Sequence, residues 1–113
     1  MYTLSIEFCE EVYDMVRLIP SGFVMGYKDV ANAIGYPKRA RHVGFALSSL
    51  PRDWCQPNTA NAVPWWRVIR SDGSIALQGD LQRGTLQRMY LISEQIHFLN
   101  TKIDMKKHRW KKE

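Results

Sequence analysis

Four side chains invite a chemical reading before any fold is considered: Cys9, Cys55, Trp65 and Trp66. A thiolate is a nucleophile and a metal ligand, and it needs a depressed pKa or an adjacent base. Cys55 lies in a loop ten residues before Trp65, with Arg52 nearby and no helix start or histidine beside it to activate it. Cys9 falls on the inner side of an amphipathic segment and reads as a small buried hydrophobe. The two form no CxxC pair and cannot by themselves complete a zinc site. No metal or cofactor is implied, and both cysteines are expected to be reduced thiols of an intracellular protein. Indole cannot do a thiol's work, because its N–H is only a donor. What tandem indoles offer is a broad apolar wall on which a flat ligand can pack. A third group is cationic: Lys38, Arg39, Arg41 and His42 crowd one predicted helix start, as on a surface that meets phosphates.

These groups need a scaffold, and the composition bounds it. The chain has 113 residues, 45% hydrophobic, with four Trp, five Tyr and four Phe. That is enough apolar mass for one modest core and too much for a disordered chain. No apolar run approaches the roughly 18–20 residues of a membrane span. Met1 to Glu11 carries acids and neither Lys nor Arg, unlike a signal or transit peptide. The expectation is a cytoplasmic protein in a bacterium or a nuclear one in a eukaryote, and a monomer. The formal net charge of +5 is unevenly placed: −4 over residues 1–16, +5 over residues 17–101 and +4 over residues 102–113. A basic body with a basic tail suits either a polyanion partner or a plain solvated surface.

The positioning elements can be read from periodicity. Phe8, Val12, Met15, Val16 and Ile19 recur at helical spacing, predicting a helix from about Ser5 to Ile19 with Thr3 or Ser5 as its cap. Pro20-Ser21-Gly22 ends it. A short helix over Tyr27 to Ile34 follows, stopped by Gly35. Pro37 then opens a third, roughly Lys38 to Leu50, with Ala40, Val43, Gly44, Leu47 and Leu50 inward. A short helix, a glycine turn and a helix with a basic start make a helix-turn-helix pattern. Residues 51–63 lack periodicity and read as a loop. Val68-Ile69 and Ile75-Ala76-Leu77 flank Ser71-Asp72-Gly73-Ser74, a hairpin signal. A last helix is predicted from about Gln82 to Leu99, burying Leu86, Met89, Tyr90, Ile92 and Ile96. The expected fold class is α+β, mainly α, a winged helix-turn-helix-like domain with a short β-hairpin; two consecutive helices suit a DNA-binding domain or ordinary packing. Residues 1–101 form the domain and residues 102–113 a basic C-terminal tail, which packs through Trp110 or stays mobile.

The motif Pro64-Trp65-Trp66-Arg67-Val68-Ile69 resembles the DNA-binding domain of the O6-alkylguanine-DNA alkyltransferases, which carry Pro-Cys-His-Arg-Val at this place. Further matching motifs precede it in order. They are Ile19-Pro20-x-Gly22 with Val24, Gly26-Tyr27-x-x-Val30-Ala31, and Gly35-x-Pro37-x-x-Ala40-Arg41-x-Val43-Gly44-x-Ala46. The resemblance covers most of residues 6–99, and Trp in place of the acceptor Cys is the mark of the alkyltransferase-like proteins. It implies that Tyr27 crowds the phosphate beside a target nucleotide and that Arg41 is the finger filling the gap left by the flipped base. It also implies a third helix in the minor groove, with Ala40 and Gly44 permitting close approach and Lys38 and Arg39 on the DNA side. Trp65, with Pro64, Trp66 and Gln78, would line the pocket for an alkylated guanine. Trp66 also reads as plain core packing. Arg67 is framework, bracing the pocket loop through carboxylates or carbonyls.

Two departures from the family pattern bear on details. Residues 51–63 form a longer loop than usual, with Asn61 the best match to the family's hinge asparagine. The segment over the pocket has Gln78 where relatives often have an arginine, and none follows until Arg83. The family's nucleophile and its activating His are Trp65 and Trp66 here, so the resemblance implies a non-enzymatic protein. It would bind duplex DNA containing O6-alkylguanine, flip the lesion and recruit nucleotide excision repair proteins. Three alternatives stay open on sequence alone: an alkyltransferase using Cys55, a sequence-specific winged-helix regulator, and a domain that shields lesions without signalling repair.

Overall fold

The computed structural model describes residues 5–76 and 81–111. Helix α1, Ile6–Arg17, starts where Ser5 Oγ accepts the Phe8 N–H at 3.0 Å, a side-chain cap for an otherwise orphaned donor. Its predicted stripe is the buried one: Phe8, Val12, Met15 and Val16 point inward, and Ile19 is buried just beyond the helix end. Helices α2, Tyr27–Ala33, and α3, Ala40–Ser48, pack against each other and against α1. Gly35 lets the chain turn between them at a φ of 86°, in the left-handed region that glycine adopts without strain. The Tyr36 N–H closes that turn on the Ala31 carbonyl at 2.9 Å. Helix α3 begins at Ala40 rather than Lys38, because the Arg39 N–H is taken by the Tyr36 carbonyl at 3.0 Å in the preceding turn. Among the described residues, no helix is long and apolar enough to cross a membrane.

The expected hairpin after Trp66 is not the pairing that forms. Strand β1, Met25–Gly26, pairs in parallel with β2, Val68–Ile69, with Met25 opposite Val68. The turn itself is present, since the Gly73 N–H donates to the Arg70 carbonyl at 2.9 Å and the Arg70 N–H to the Ser74 carbonyl at 3.0 Å. Ile75 and Ala76 do not continue it as a strand, and Leu77 lies outside the described residues. Val68 and Ile69 are fully buried, so their better partner is another interior strand.

The last helix also departs from expectation. Helix α4 runs Leu81–Ser93, ending well short of Leu99. Gln95 adopts a φ of 68°, and the Ile96 N–H returns to the Leu91 carbonyl at 3.1 Å. Its inward face is Gly84, Gln87 and Leu91, while Leu86, Met89 and Ile92 are exposed, Met89 by 60%. Gln87 decides this rotation. Its amide donates to the Trp66 carbonyl at 3.2 Å and the Val68 carbonyl at 2.9 Å, acceptors that would otherwise be buried without a partner. Of the predicted stripe, Ile96 is buried and Tyr90 is half-buried.

A hairpin does occur further on: β3, Phe98–Leu99, pairs antiparallel with β4, Lys102–Ile103. A division at residue 101 therefore cuts a turn between paired strands. Helix α5, Met105–His108, follows, with Ile103 and His108 buried. The His97 N–H donates to His108 Nε2 at 2.9 Å, leaving the Nδ1 proton for the Gly22 carbonyl at 3.0 Å. Residues 102–111 belong to the same packed body as the helices. Gly73 is required by that packing, since a Cβ there would stand 2.6 Å from the Ile103 carbonyl oxygen.

Candidate nucleic-acid interface

The start of α2 and the start of α3 meet across a narrow gap. Tyr27 is the first residue of α2, and its ring lies against Gly44, where a Cβ would be 3.7 Å from Cε1. A single Cβ at position 44 would meet the phenol at ordinary contact distance. Tyr27, Ala40, Arg41 and Gly44 line one cleft of about 230 Å³ together with Arg70 and Ala76. Arg41 is exposed along this cleft, on the first turn of α3. Burial raises the Tyr27 pKa above its usual value, and the charges of Arg83 and Arg70 oppose the rise. The phenol is thus a neutral donor beside cations, suited to a phosphate oxygen. Lys38 and Arg39 do not line this cleft. They precede α3, where Lys38 is exposed and the Arg39 guanidinium sits 5.5 Å from the Tyr36 ring centroid.

Trp65 lies in a second cleft, of about 300 Å³, lined by Cys55, Trp65, Gln82, Arg83 and Leu86. A short 3-10 turn, Trp65–Arg67, presents it, and its indole N–H donates to the Cys55 carbonyl at 2.9 Å. The loop over residues 51–63 folds back to make that acceptor available. The Val63 N–H donates to the Trp54 carbonyl at 2.8 Å, and Thr59 Oγ1 donates to the Asp53 carbonyl at 2.7 Å. Asn61 offers its carbonyl to Arg17 Nη2 at 3.0 Å. Cys55 therefore stands beside Trp65, but burial raises its thiol pKa, with Arg83 opposing and Asp53 adding to the rise. A thiol held protonated is a poor nucleophile.

Trp66 turns the other way. Its N–H donates to Glu94 at 3.0 Å and its ring packs edge-on against Tyr90 at 5.0 Å. Arg67 joins it there, donating through Nε to Glu94 at 2.9 Å and through Nη1 to the Ile19 carbonyl at 2.8 Å. Pro64 is buried and outside both clefts, and Gln78 lies outside the described residues.

Arg83 and Arg70 are the residues that sequence reasoning did not place. The Arg83 guanidinium carbon sits 4.4 Å from the Trp65 ring centroid, and its Nη2 donates to the Leu47 carbonyl at 3.3 Å. Its charge reaches the Tyr27 phenol and the Cys55 thiol alike. The absence of arginine at position 78 was a signal to search beyond that segment. Only the rotation of α4 reveals which later arginine faces the indole.

A sequence model described as "6-O-methylguanine DNA methyltransferase, DNA binding domain" matches residues 7–96. The chain belongs to this family. Among curated relatives, a "DNA base-flipping protein" of Vibrio parahaemolyticus is 38% identical over 106 residues, 92% of this chain and 96% of that protein. "Alkyltransferase-like protein 1" of Schizosaccharomyces pombe is 36% identical over 111 residues, 93% of this chain and 95% of that one. The structure is similar to that of S. pombe Atl1 in complex with damaged DNA containing O6-carboxymethylguanine. There the TM-score is 0.82 at 33% identity, covering 97% of this chain and all of the other. The mostly helical fold with small sheets is that of the family's DNA-binding domain.

Proposed function

We propose that this protein recognises O6-alkylguanine in duplex DNA, rotates the damaged nucleotide out of the helix and holds it without transferring the alkyl group. The observation that carries this reading is the convergence of Tyr27, Ala40, Arg41 and Gly44 on one cleft; Trp65, which the resemblance matches to the family's acceptor Cys, lines the second. Extruding a base costs a few kcal/mol of stacking and pairing, so something must press on the backbone and fill the vacancy. Tyr27 performs the first role and the flat guanidinium of Arg41 the second. Lys38 and Arg39 add phosphate attraction that does not depend on sequence. Trp65 supplies the wall against which the base rests.

Alkyl transfer needs a thiolate, and the sole thiol beside Trp65 is Cys55, which burial holds protonated. A lesion that is held and not repaired has to be passed on. We place nucleotide excision repair proteins as the recipients, as the resemblance to alkyltransferase-like proteins implies. The test is a titration of matched duplexes carrying guanine or O6-methylguanine, with mass spectrometry of the protein afterwards. The expected result is tighter binding to the lesion and unchanged protein mass. Equal affinity for both duplexes refutes damage recognition, and a gain of one alkyl group refutes the non-enzymatic reading.

A further inference from the structure

The three residues before Tyr27 are gripped from both sides. On one side, Met25 and Gly26 pair with Val68 and Ile69. On the other, the Val24 N–H donates to the His108 carbonyl at 2.9 Å, and the Trp110 N–H donates to the Val24 carbonyl at 2.8 Å. Residues 24–26 are thus the middle of three parallel segments, and the outer one is the C-terminal strap. The strap also reaches into α2. Arg109 donates through Nη2 to Asp29 Oδ1 at 2.6 Å and through Nε to Asp29 Oδ2 at 3.1 Å. Asp29 Oδ2 in turn accepts the N–H of Gly26, the residue that caps α2, at 3.1 Å.

Each link has a physical reason. Gly26 has no side chain with which to cap the helix, so its turn depends on a carboxylate reaching back from Asp29. Helix α2 has seven residues, too few to be stable without outside support. A two-point guanidinium-carboxylate contact fixes orientation as well as charge, so Arg109 aims Asp29 at the cap. The Arg109 side chain is 45% exposed and that of Asp29 18%, so the carboxylate is the sheltered partner. Rotating a nucleotide demands a rigid phenol. If the first turn of α2 yields, Tyr27 yields with it and the DNA backbone does not move.

We propose that Arg109 and Asp29 are positioning residues for Tyr27, and that the C-terminal strap is a brace for base extrusion rather than a DNA-contacting tail. This rests on the base-flipping function proposed above. The test uses full-length protein with a fluorescent base analogue at the target position, and titrations of damaged and undamaged duplexes. Arg109→Gln and Asp29→Asn are each expected to lower the extrusion signal and to cut the damaged-to-undamaged affinity ratio about fivefold, the scale of one ordinary hydrogen bond. Arg109→Lys, which keeps the charge and loses the fork, should fall between them and wild type. The exchange Asp29→Arg with Arg109→Asp keeps an ion pair but leaves the Gly26 N–H without its acceptor, because a guanidinium only donates, and should not recover the signal. Lys106→Gln removes the same charge from the strap without touching Asp29, and should leave the ratio unchanged.

Thermal midpoints are recorded for every variant, and Arg109→Lys serves if Asp29→Asn does not fold. Variants that lose only thermal stability, with wild-type extrusion and ratio, overturn the proposal. So does an equal loss on both duplexes matching that of Lys106→Gln, which makes Arg109 a phosphate contact. Wild-type protein that shows neither extrusion nor lesion preference overturns the base-flipping function and this inference together. Wild type that flips while the variants flip equally well overturns the inference alone.

Discussion

The guanidinium of Arg83 lies over the indole of Trp65, 4.4 Å from the ring centroid. The indole face proposed above as the wall for a flipped base is therefore already shared with a cation that donates to the Leu47 carbonyl. The cleft is apolar on the Trp65 and Leu86 sides and positive at Arg83, so under the proposed function the charge of an O6 substituent would matter to its fit.

Arg83→Met keeps an apolar stem and removes the charge. It should lower the affinity for a duplex carrying O6-carboxymethylguanine more than that for O6-methylguanine, since the cation pairs with the carboxylate and not with the methyl group. Loss of the cation-π contact should cost about 1 kcal/mol of folding stability. Parallel titrations of the two duplexes and a denaturant curve check both parts. Equal losses on the two lesions would show that Arg83 does not meet the substituent.

Arg41→Ala should weaken lesion binding by roughly 1–3 kcal/mol, the scale of the unstacking cost that the proposed finger would offset. Lys38→Ala should instead weaken damaged and undamaged binding alike and reduce the salt slope by about one. Titrations at several salt concentrations separate the two. A uniform loss for Arg41→Ala would make it a phosphate contact and remove it from the flipping machinery.

Trp65→Cys should not make an efficient alkyltransferase. A free thiol has a pKa near 8.5, so only a few per cent is thiolate at neutral pH, and position 66 carries Trp where the family resemblance implies an activating His. Adding Trp66→His supplies that neighbour but removes the bond to Glu94 and the contact with Tyr90. The double variant should lose roughly 2–3 kcal/mol of stability and transfer slowly if at all. Single-turnover transfer from a labelled O6-methylguanine duplex, with a denaturant curve, measures both. Fast transfer by the single variant would mean that the cleft itself activates a thiol.

Glu94→Gln leaves the Arg67 guanidinium without its charge partner in a site where the two side chains are only 15% and 12% exposed. Removing one partner of a sheltered pair costs about 3 kcal/mol, because the remaining charge stays buried. Chemical denaturation at neutral pH should show that loss, with the 3-10 turn carrying Trp65 loosened as well. A change below about 0.5 kcal/mol would place the pair in the range of exposed salt bridges.

Asp29 gives a pH signature. Burial pushes its carboxyl up, but the Arg109 bonds, the Gly26 N–H and the nearby cationic charges outweigh burial, and its pKa is lowered. The folded value lies below the unfolded one. Its contribution is therefore fully present above the usual carboxylate range of about 4 and is lost as pH falls through the folded value. Wild type should be more stable than Asp29→Asn at pH 7, and the gap should narrow in acid. Stability curves at several pH values check this. A gap independent of pH would show that the carboxylate's charge is not what stabilises the turn.

Much of this protein was legible in its residues because the relevant physics is short-range. The stripe from Phe8 to Ile19, the Ser5 cap and the Gly35 turn follow from spacing and local hydrogen bonding, which a linear reading contains. The ordered motifs through Gly26-Tyr27, Ala40-Arg41 and Pro64-Trp65-Trp66 were sufficient to name the family. Tertiary structure decided what depends on partners distant in the chain. Val68-Ile69 looked like one arm of a local hairpin, but complete burial favours Met25–Gly26 as the partner. Helix α4 looked as though it buried Leu86, Met89 and Ile92. One polar side chain, Gln87, turned it, because two interior carbonyls needed a donor. The same rotation brought Arg83 over Trp65. The C-terminal segment read as a charged tail until Val24 and Asp29 supplied acceptors for its backbone and for Arg109. Local pattern sets which elements form. Which face turns inward, and which charge meets which ring, is set by the unsatisfied groups those elements bring together.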